Sequence, residues 1–200
     1  MERIELYPIF NRFAVYNDHY DGELECLGDA LGRDCMIAAF LSEKFDFARE
    51  YKGDGSKNED WFSWNAEVFA PAGGKITSIY INDVTNVPGQ MNPSRASSIV
   101  IQRDDGVNIL LAHIQNPVVS VGEEVKEGQL LAYVGNNGYS RNPHIHIGAW
   151  RGNQPLMIGF AAKKVGEILE KTDECYWTMG ISDAEYEKMT KDRGCKPAWV

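Results

Sequence analysis

This 200-residue chain lacks a basic cluster: its 20 Lys and Arg are spread thinly among 29 Asp and Glu, for a formal net charge of −9. Nucleic acid is held by a basic face that neutralises phosphates, so it is not an expected partner. The same acidity argues against adhesion to an anionic membrane. No apolar run reaches the length of a membrane span. Residues 1–10, MERIELYPIF, have no charged n-region followed by an apolar h-region, so they do not read as a signal peptide. A cytosolic protein and an exported one whose leader has been removed both remain open. None of the four cysteines, Cys26, Cys35, Cys175 and Cys195, stands in a C-x-x-C pair, which speaks against a zinc ribbon. They read as buried or free thiols of a reducing compartment, or as one or two disulfides in an exported protein. There is no repeat at solenoid period and no low-complexity segment.

What is present suits one globular domain with extensions. Hydrophobic residues make up 44%, enough to bury a sizeable core, and charged residues an ordinary 24%.

Residues 1–40 carry weak signals: a short strand at 13–16, turns at Asp21-Gly22 and 27–29, and an apolar stretch at 35–40 too short to type. From Lys44 the pattern is that of β-structure. Residues 44–49 alternate polar and apolar, as a half-buried strand does. Residues 51–63 form a Gly- and Asp-rich surface loop. Trp61, Phe62 and Trp64 at its end read as core anchors or as the lining of a cleft. Strands are expected at 67–70, 75–81, 98–103, 107–114, 130–134 and 143–150, with a loop at 86–96. Asp105-Gly106 between two apolar runs is a hairpin signal. Many short strands with Gly-rich turns imply an all-β sandwich or barrel of antiparallel strands, with an irregular N-terminal segment. Beyond Trp150 the period changes. Residues 160–171 have helical spacing, and Ser182-Asp183-Ala184-Glu185 matches a capping box before a short helix at 183–192, giving an α-helical C-terminal tail.

The chain has only four histidines, His19, His113, His144 and His146. His144 and His146 sit two apart on an expected strand and so point to one side, where they could share a metal or divide metal binding and proton transfer. Surface histidines with ordinary hydrogen bonds are the plain alternative. His113 interrupts the apolar end of another strand. A satisfied core histidine is the usual reading there, yet three of the four histidines fall in strands of one β-domain. Asp46, between Phe45 and Phe47, reads as a surface charge or as a metal-binding carboxylate.

The order F-D-F, V-F-A-P-A-G-G-K-I, S-I-V-I-Q, L-L-A-H-I, V-S-V-G-E-E-V-K-E-G-Q-L-L-A-Y-V-G-N-N-G-Y-S, P-H-I-H-I resembles the lysostaphin-like (LytM-type) zinc metallopeptidases, which are peptidoglycan endopeptidases. The resemblance covers residues 45–150 and is most specific over 119–146. It implies an all-β duplicated hybrid motif, with an N-terminal extension at 1–40 packing on the core, a peptidase domain at 41–150 and a mixed helical extension at 151–200. It also implies one Zn²⁺ per chain, with Asp46 and His146 as metal ligands, His113 and His144 as catalytic residues, and peptidoglycan stem or cross-bridge peptides as substrate. The family's remaining metal-binding histidine should stand four residues before Asp46, where this chain has Ser42, a poor ligand for zinc. His19 also precedes Asp46 and is the only histidine left to complete three ligands. Glu43 and Asp18 are weaker substitutes. The loops 51–64 and 86–96 are expected to flank the cleft.

Three rivals follow from the same residues. A non-catalytic member of the fold would bind cell-wall material or regulate another hydrolase, a reading that Ser42 favours. A biotinyl or lipoyl carrier domain shares features with 121–134 but needs a lysine at a hairpin tip that is not found here. A sugar-phosphotransferase component needs a nucleophilic histidine that residues 98–103 lack.

Overall fold

The structure, a computed structural model, describes residues 2–19, 31–40 and 48–172. The N-terminal strands are β1 (Arg3–Leu6), β2 (Ala14–Asp18), β3 (Arg33–Ile37), β4 (Ala39–Phe40) and β5 (Ala48–Arg49). After a 3-10 turn at Asn58–Asp60 come β6 (Glu67–Phe69), β7 (Gly74–Tyr80), β8 (Ser98–Gln102), β9 (Val107–Ala112) and β10 (Ile114–Gln115). The chain continues through β11 (Glu124–Val125), β12 (Leu130–Val134), β13 (Ile145–Arg151), β14 (Gln154–Pro155) and β15 (Met157–Phe160) to the helix α1 (Ala162–Thr172).

The main sheet runs β11-β7-β8-β9-β13-β3-β2, with β14 paired to β13. A second sheet, β10-β12-β6, covers it from the core side. Among the described residues, all pairings are antiparallel except β1 with β15. The expected all-β architecture of antiparallel strands with a C-terminal helix is therefore the one observed.

The strands form where β-branched and other apolar residues alternate. Ile145 and Ile147 of β13, Leu111 and Ile109 of β9, and Ile99 and Ile101 of β8 are fully buried on one face of the sheet. Val68, Ile114, Leu131 and Val134 close the core from the second sheet. Each such side chain contributes about 1.5–3 kcal/mol by leaving water. Residues directly opposite across an antiparallel ladder share a face. Asp34, His146, Ala112 and Ser98 are register partners in succession, so they line the face turned away from this core.

The weakly patterned N-terminal region is more regular than its sequence suggests. The strand expected at 13–16 runs from Ala14 to Asp18, and the untyped apolar stretch begins a strand at Arg33. Both join the main sheet: β3 pairs with β13, more than a hundred residues further along the chain, and β2 pairs with β3 at the edge. The strand expected at 107–114 is interrupted at His113, which adopts a left-handed φ of 65°. The expected helix at 183–192, and Ser42, Asp46, Cys26, Cys175 and Cys195, lie outside the described residues. Cys35 is a free, buried thiol.

Candidate active site

His146 is the second residue of β13, and Asp34 lies directly across from it in β3. The pairing brings Asp34 Oδ1 to 2.9 Å from His146 Nδ1. His19 follows β2, where its backbone N–H donates to Gly32 O at 2.9 Å and continues the ladder by one step. Its Nε2 stands 3.4 Å from Asp34 Oδ2. The His19 and His146 rings lie with centroids 5.0 Å apart. One ligand atom from each of His19, Asp34 and His146 falls within a 4.8 Å cluster. Asp34 was not visible as a site residue in the sequence. Asp18, weighed as a substitute ligand, is instead engaged by Arg33.

His144 precedes β13 by one residue and shares the His146 face, because positions two apart on a strand point the same way. Its Nδ1 is 2.8 Å from Asn142 O and its Nε2 is 3.5 Å from Asp34 Oδ1. A carbonyl only accepts, so the Nδ1 of His144 carries a proton. His113 reaches the same place by another route. In an unbroken strand it would point away from Ala112 and therefore away from His146. The left-handed backbone at His113 turns the side chain back, and its ring centroid sits 4.5 Å from that of His144 and 6.4 Å from that of His146.

All three β-domain histidines are buried, with His113 at 6%, His144 at 7% and His146 at 8% exposure. Burial pushes the His113 pKa well below the ordinary imidazole value, with the neighbouring His144 adding to the effect. His113 is thus neutral at pH 7. Its Nδ1 donates to Asn137 O at 2.7 Å, leaving the lone pair on Nε2. Burial pushes the Asp34 carboxyl up, but its contacts with His144 and His146 outweigh this and hold it well below the usual carboxylate range. Asp34 is an anion at neutral pH.

Three loops support this cluster. Asn58, in the loop 51–64, donates from Nδ2 to Asn86 O at 2.9 Å. Asn136 Nδ2 donates to Asn58 Oδ1 at 2.8 Å, and Asn86 Nδ2 to Gly138 O and Ser140 O, each at 2.8 Å. The Oγ of Ser140 is 2.9 Å from Asn136 Oδ1 and 3.4 Å from His144 Nδ1. The two loops expected to flank a cleft are therefore tied to each other and to the turn that precedes His144. Of the aromatic trio, Phe62 packs against the core, while Trp61 stacks on Tyr51 with centroids 4.8 Å apart.

The donor set of two imidazoles and one carboxylate fits a divalent metal such as zinc, whose catalytic sites take three N or O ligands and leave one position open. The two further histidines, His113 and His144, flank it, and an imidazole can accept or donate a proton near neutral pH.

The family model of peptidase family M23 matches residues 60–157. Solved structures with similar chains include the catalytic domain of the antimicrobial peptidase lysostaphin from Staphylococcus simulans, at 20% identity over 74% of this chain and 89% of that one, with a TM-score of 0.44. A zinc-containing peptidase from Vibrio cholerae matches at 16% identity over 72% and 54%, with a TM-score of 0.39. A chain assigned to peptidase M23 from Pseudomonas aeruginosa matches at 20% identity over 46% and 37%, with a TM-score of 0.38. The present chain thus spans about half the Vibrio protein and about a third of the Pseudomonas one. Comparison with curated proteins finds no match. Residues 60–157 of this chain thus carry the domain of peptidase family M23.

Proposed function

We propose that the protein is a zinc-dependent endopeptidase that hydrolyses peptide bonds in peptidoglycan stem or cross-bridge peptides. The observation that carries this reading is the meeting of His19, Asp34 and His146 beside His113 and His144. His19, Asp34 and His146 hold the zinc, and His113 and His144 are the catalytic residues. Asp46 stands as the alternative carboxylate ligand, to be separated from Asp34 by substitution. When bound, zinc polarises a peptide carbonyl and lowers the pKa of water in contact with it toward ~7.

The chain's own groups divide the remaining work. Neutral His113 offers the Nε2 lone pair and accepts a proton from the attacking water. His144 has one ring nitrogen tied to Asn142 O and the other directed toward Asp34, so an added proton on Nε2 is held beside a carboxylate. In that form it donates to the oxyanion that develops on the scissile carbonyl, and then to the leaving amine. Burial of the histidines limits competing water and strengthens each of these interactions. The loops 51–64 and 86–96 flank the cleft and set which peptide fits.

The test is hydrolysis of synthetic stem and cross-bridge peptides by the zinc-loaded protein, read by mass spectrometry. Cleavage that a chelator abolishes, zinc restores and His113→Ala or His144→Ala lowers by about 10²–10⁴-fold supports the reading. A protein that binds zinc and wall peptides yet cleaves none would instead be a non-catalytic member of the fold.

A further inference from the structure

His113 can face the other histidines only because its backbone is left-handed, a conformation that residues with a Cβ rarely adopt and that persists when its surroundings hold it. Those surroundings converge on one side chain. Asn137 is 4% exposed and makes three contacts with the interrupted strand and its neighbour. Its Nδ2 donates to Ile114 O at 3.0 Å, immediately after His113. Its Oδ1 accepts from Ser97 N at 2.7 Å, immediately before β8. Its own backbone carbonyl accepts from His113 Nδ1 at 2.7 Å. The turn is pressed close on both sides. A Cβ at Gly135 would stand 2.9 Å from Asn137 Nδ2 and from His113 O, and one at Gly138 would stand 2.5 Å from the Ala96 backbone. The side-chain amide therefore sets where the Asn137 carbonyl lies, and that carbonyl sets the ring orientation of His113 and which nitrogen bears its proton.

We propose that Asn137 is the positioning residue of His113: its amide, spanning Ile114 O and Ser97 N, fixes the backbone carbonyl that keeps the His113 proton on Nδ1 and the lone pair on Nε2. The inference rests on the catalytic reading of His113, but the geometry it describes is measurable without turnover. An imidazole whose proton moves to Nε2 presents a donor where an acceptor is needed, and the ring loses its single orientation.

The experiment is long-range ¹H–¹⁵N correlation of the His113 ring in the metal-free protein at pH 7, in wild type, Asn137→Ala and Asn137→Asp. Asn137→Asp keeps the size of the side chain and its acceptor for Ser97 N but loses the donor to Ile114 O, so it decides the matter if the alanine variant fails to fold. The expected result is one Nδ1-protonated species in wild type and a mixture of both tautomers in the variants. Zinc content should be unchanged, and kcat on wall peptides should fall by about 10- to 100-fold with KM held. A wild-type ring protonated on Nε2, or a folded variant that keeps the single Nδ1-protonated ring, overturns the proposal. If no peptide is cleaved by wild type, the functional reading fails while the tautomer result still decides the role of Asn137.

Discussion

Asp34 and His146 face each other across the β3–β13 ladder, with the Oδ1 of one 2.9 Å from the Nδ1 of the other. A direct imidazole–carboxylate contact in this position places two groups of ligand chemistry at one point of the sheet. The backbone register fixes them there, so the two donors would lose little freedom on holding a metal.

Replacement of that carboxylate should separate the two candidate acids. Asp34→Asn is expected to weaken zinc binding by more than about 100-fold, beyond the effect of losing an outer hydrogen bond. Asp46→Asn is expected to leave it within a fewfold of wild type. Competition against a chromophoric chelator reads both. The reverse pattern would move the ligand role to Asp46.

The loop 51–64 is fastened beneath β3 by one buried bond, from Ile37 N to Ser63 Oγ at 2.8 Å, with Ser63 fully buried. Ser63→Ala leaves that N–H without its acceptor. The expected loss is about 1–3 kcal/mol of unfolding free energy, read from urea denaturation. A loss below about 0.5 kcal/mol would mean that the loop is held by other contacts.

Tyr16 pairs with Cys35 across β2 and β3 and stacks on Phe160, with ring centroids 4.7 Å apart. Burial pushes its phenol pKa well above the ordinary value of 10.0. Between that value and the raised one, the unfolded chain has released the proton that the folded chain keeps. The stabilising contribution is therefore complete below pH 10 and is lost as pH rises beyond it, at about 1.4 kcal/mol per pH unit. Urea midpoints at pH 8 and pH 11 should fall further for wild type than for Tyr16→Phe, and equal falls would contradict this.

The Cys35 thiol is fully buried, and burial, reinforced by the adjacent Asp34 charge, pushes its pKa well up. With Cys26, Cys175 and Cys195 replaced by Ser, the remaining thiol should resist a disulfide reagent at pH 8 in the native protein and react at once in urea. Rapid reaction in native buffer would show that β3 opens locally.

Much of the β-domain was legible because its signals are local. Asp105-Gly106 marks the β8–β9 hairpin, short apolar runs bounded by Gly- and Pro-containing turns mark β7, β8 and β12, and His144-Ile145-His146 marks a strand with two imidazoles on one side. His113 was legible as a residue of the domain, but its turn toward His144 was not. That turn depends on a left-handed backbone held by Asn137, which is distant in sequence. Asp34 was missed for a related reason. It stands next to Arg33 at the head of an apolar stretch, where a carboxylate looks like a solvated strand end. Only the pairing of β3 with β13, 112 residues away, reveals its partner. The one available signal was a carboxylate directly ahead of a buried run in a region otherwise hard to type.

The central claim is that His19, Asp34 and His146 form the zinc site, and elemental analysis of the protein after zinc reconstitution and dialysis tests it most directly. The account predicts about one zinc per chain in wild type and almost none in His19→Ala, Asp34→Ala and His146→Ala, each shown to be folded by its circular dichroism. Absence of zinc from the wild type, or its retention in any of the three folded variants, would contradict it.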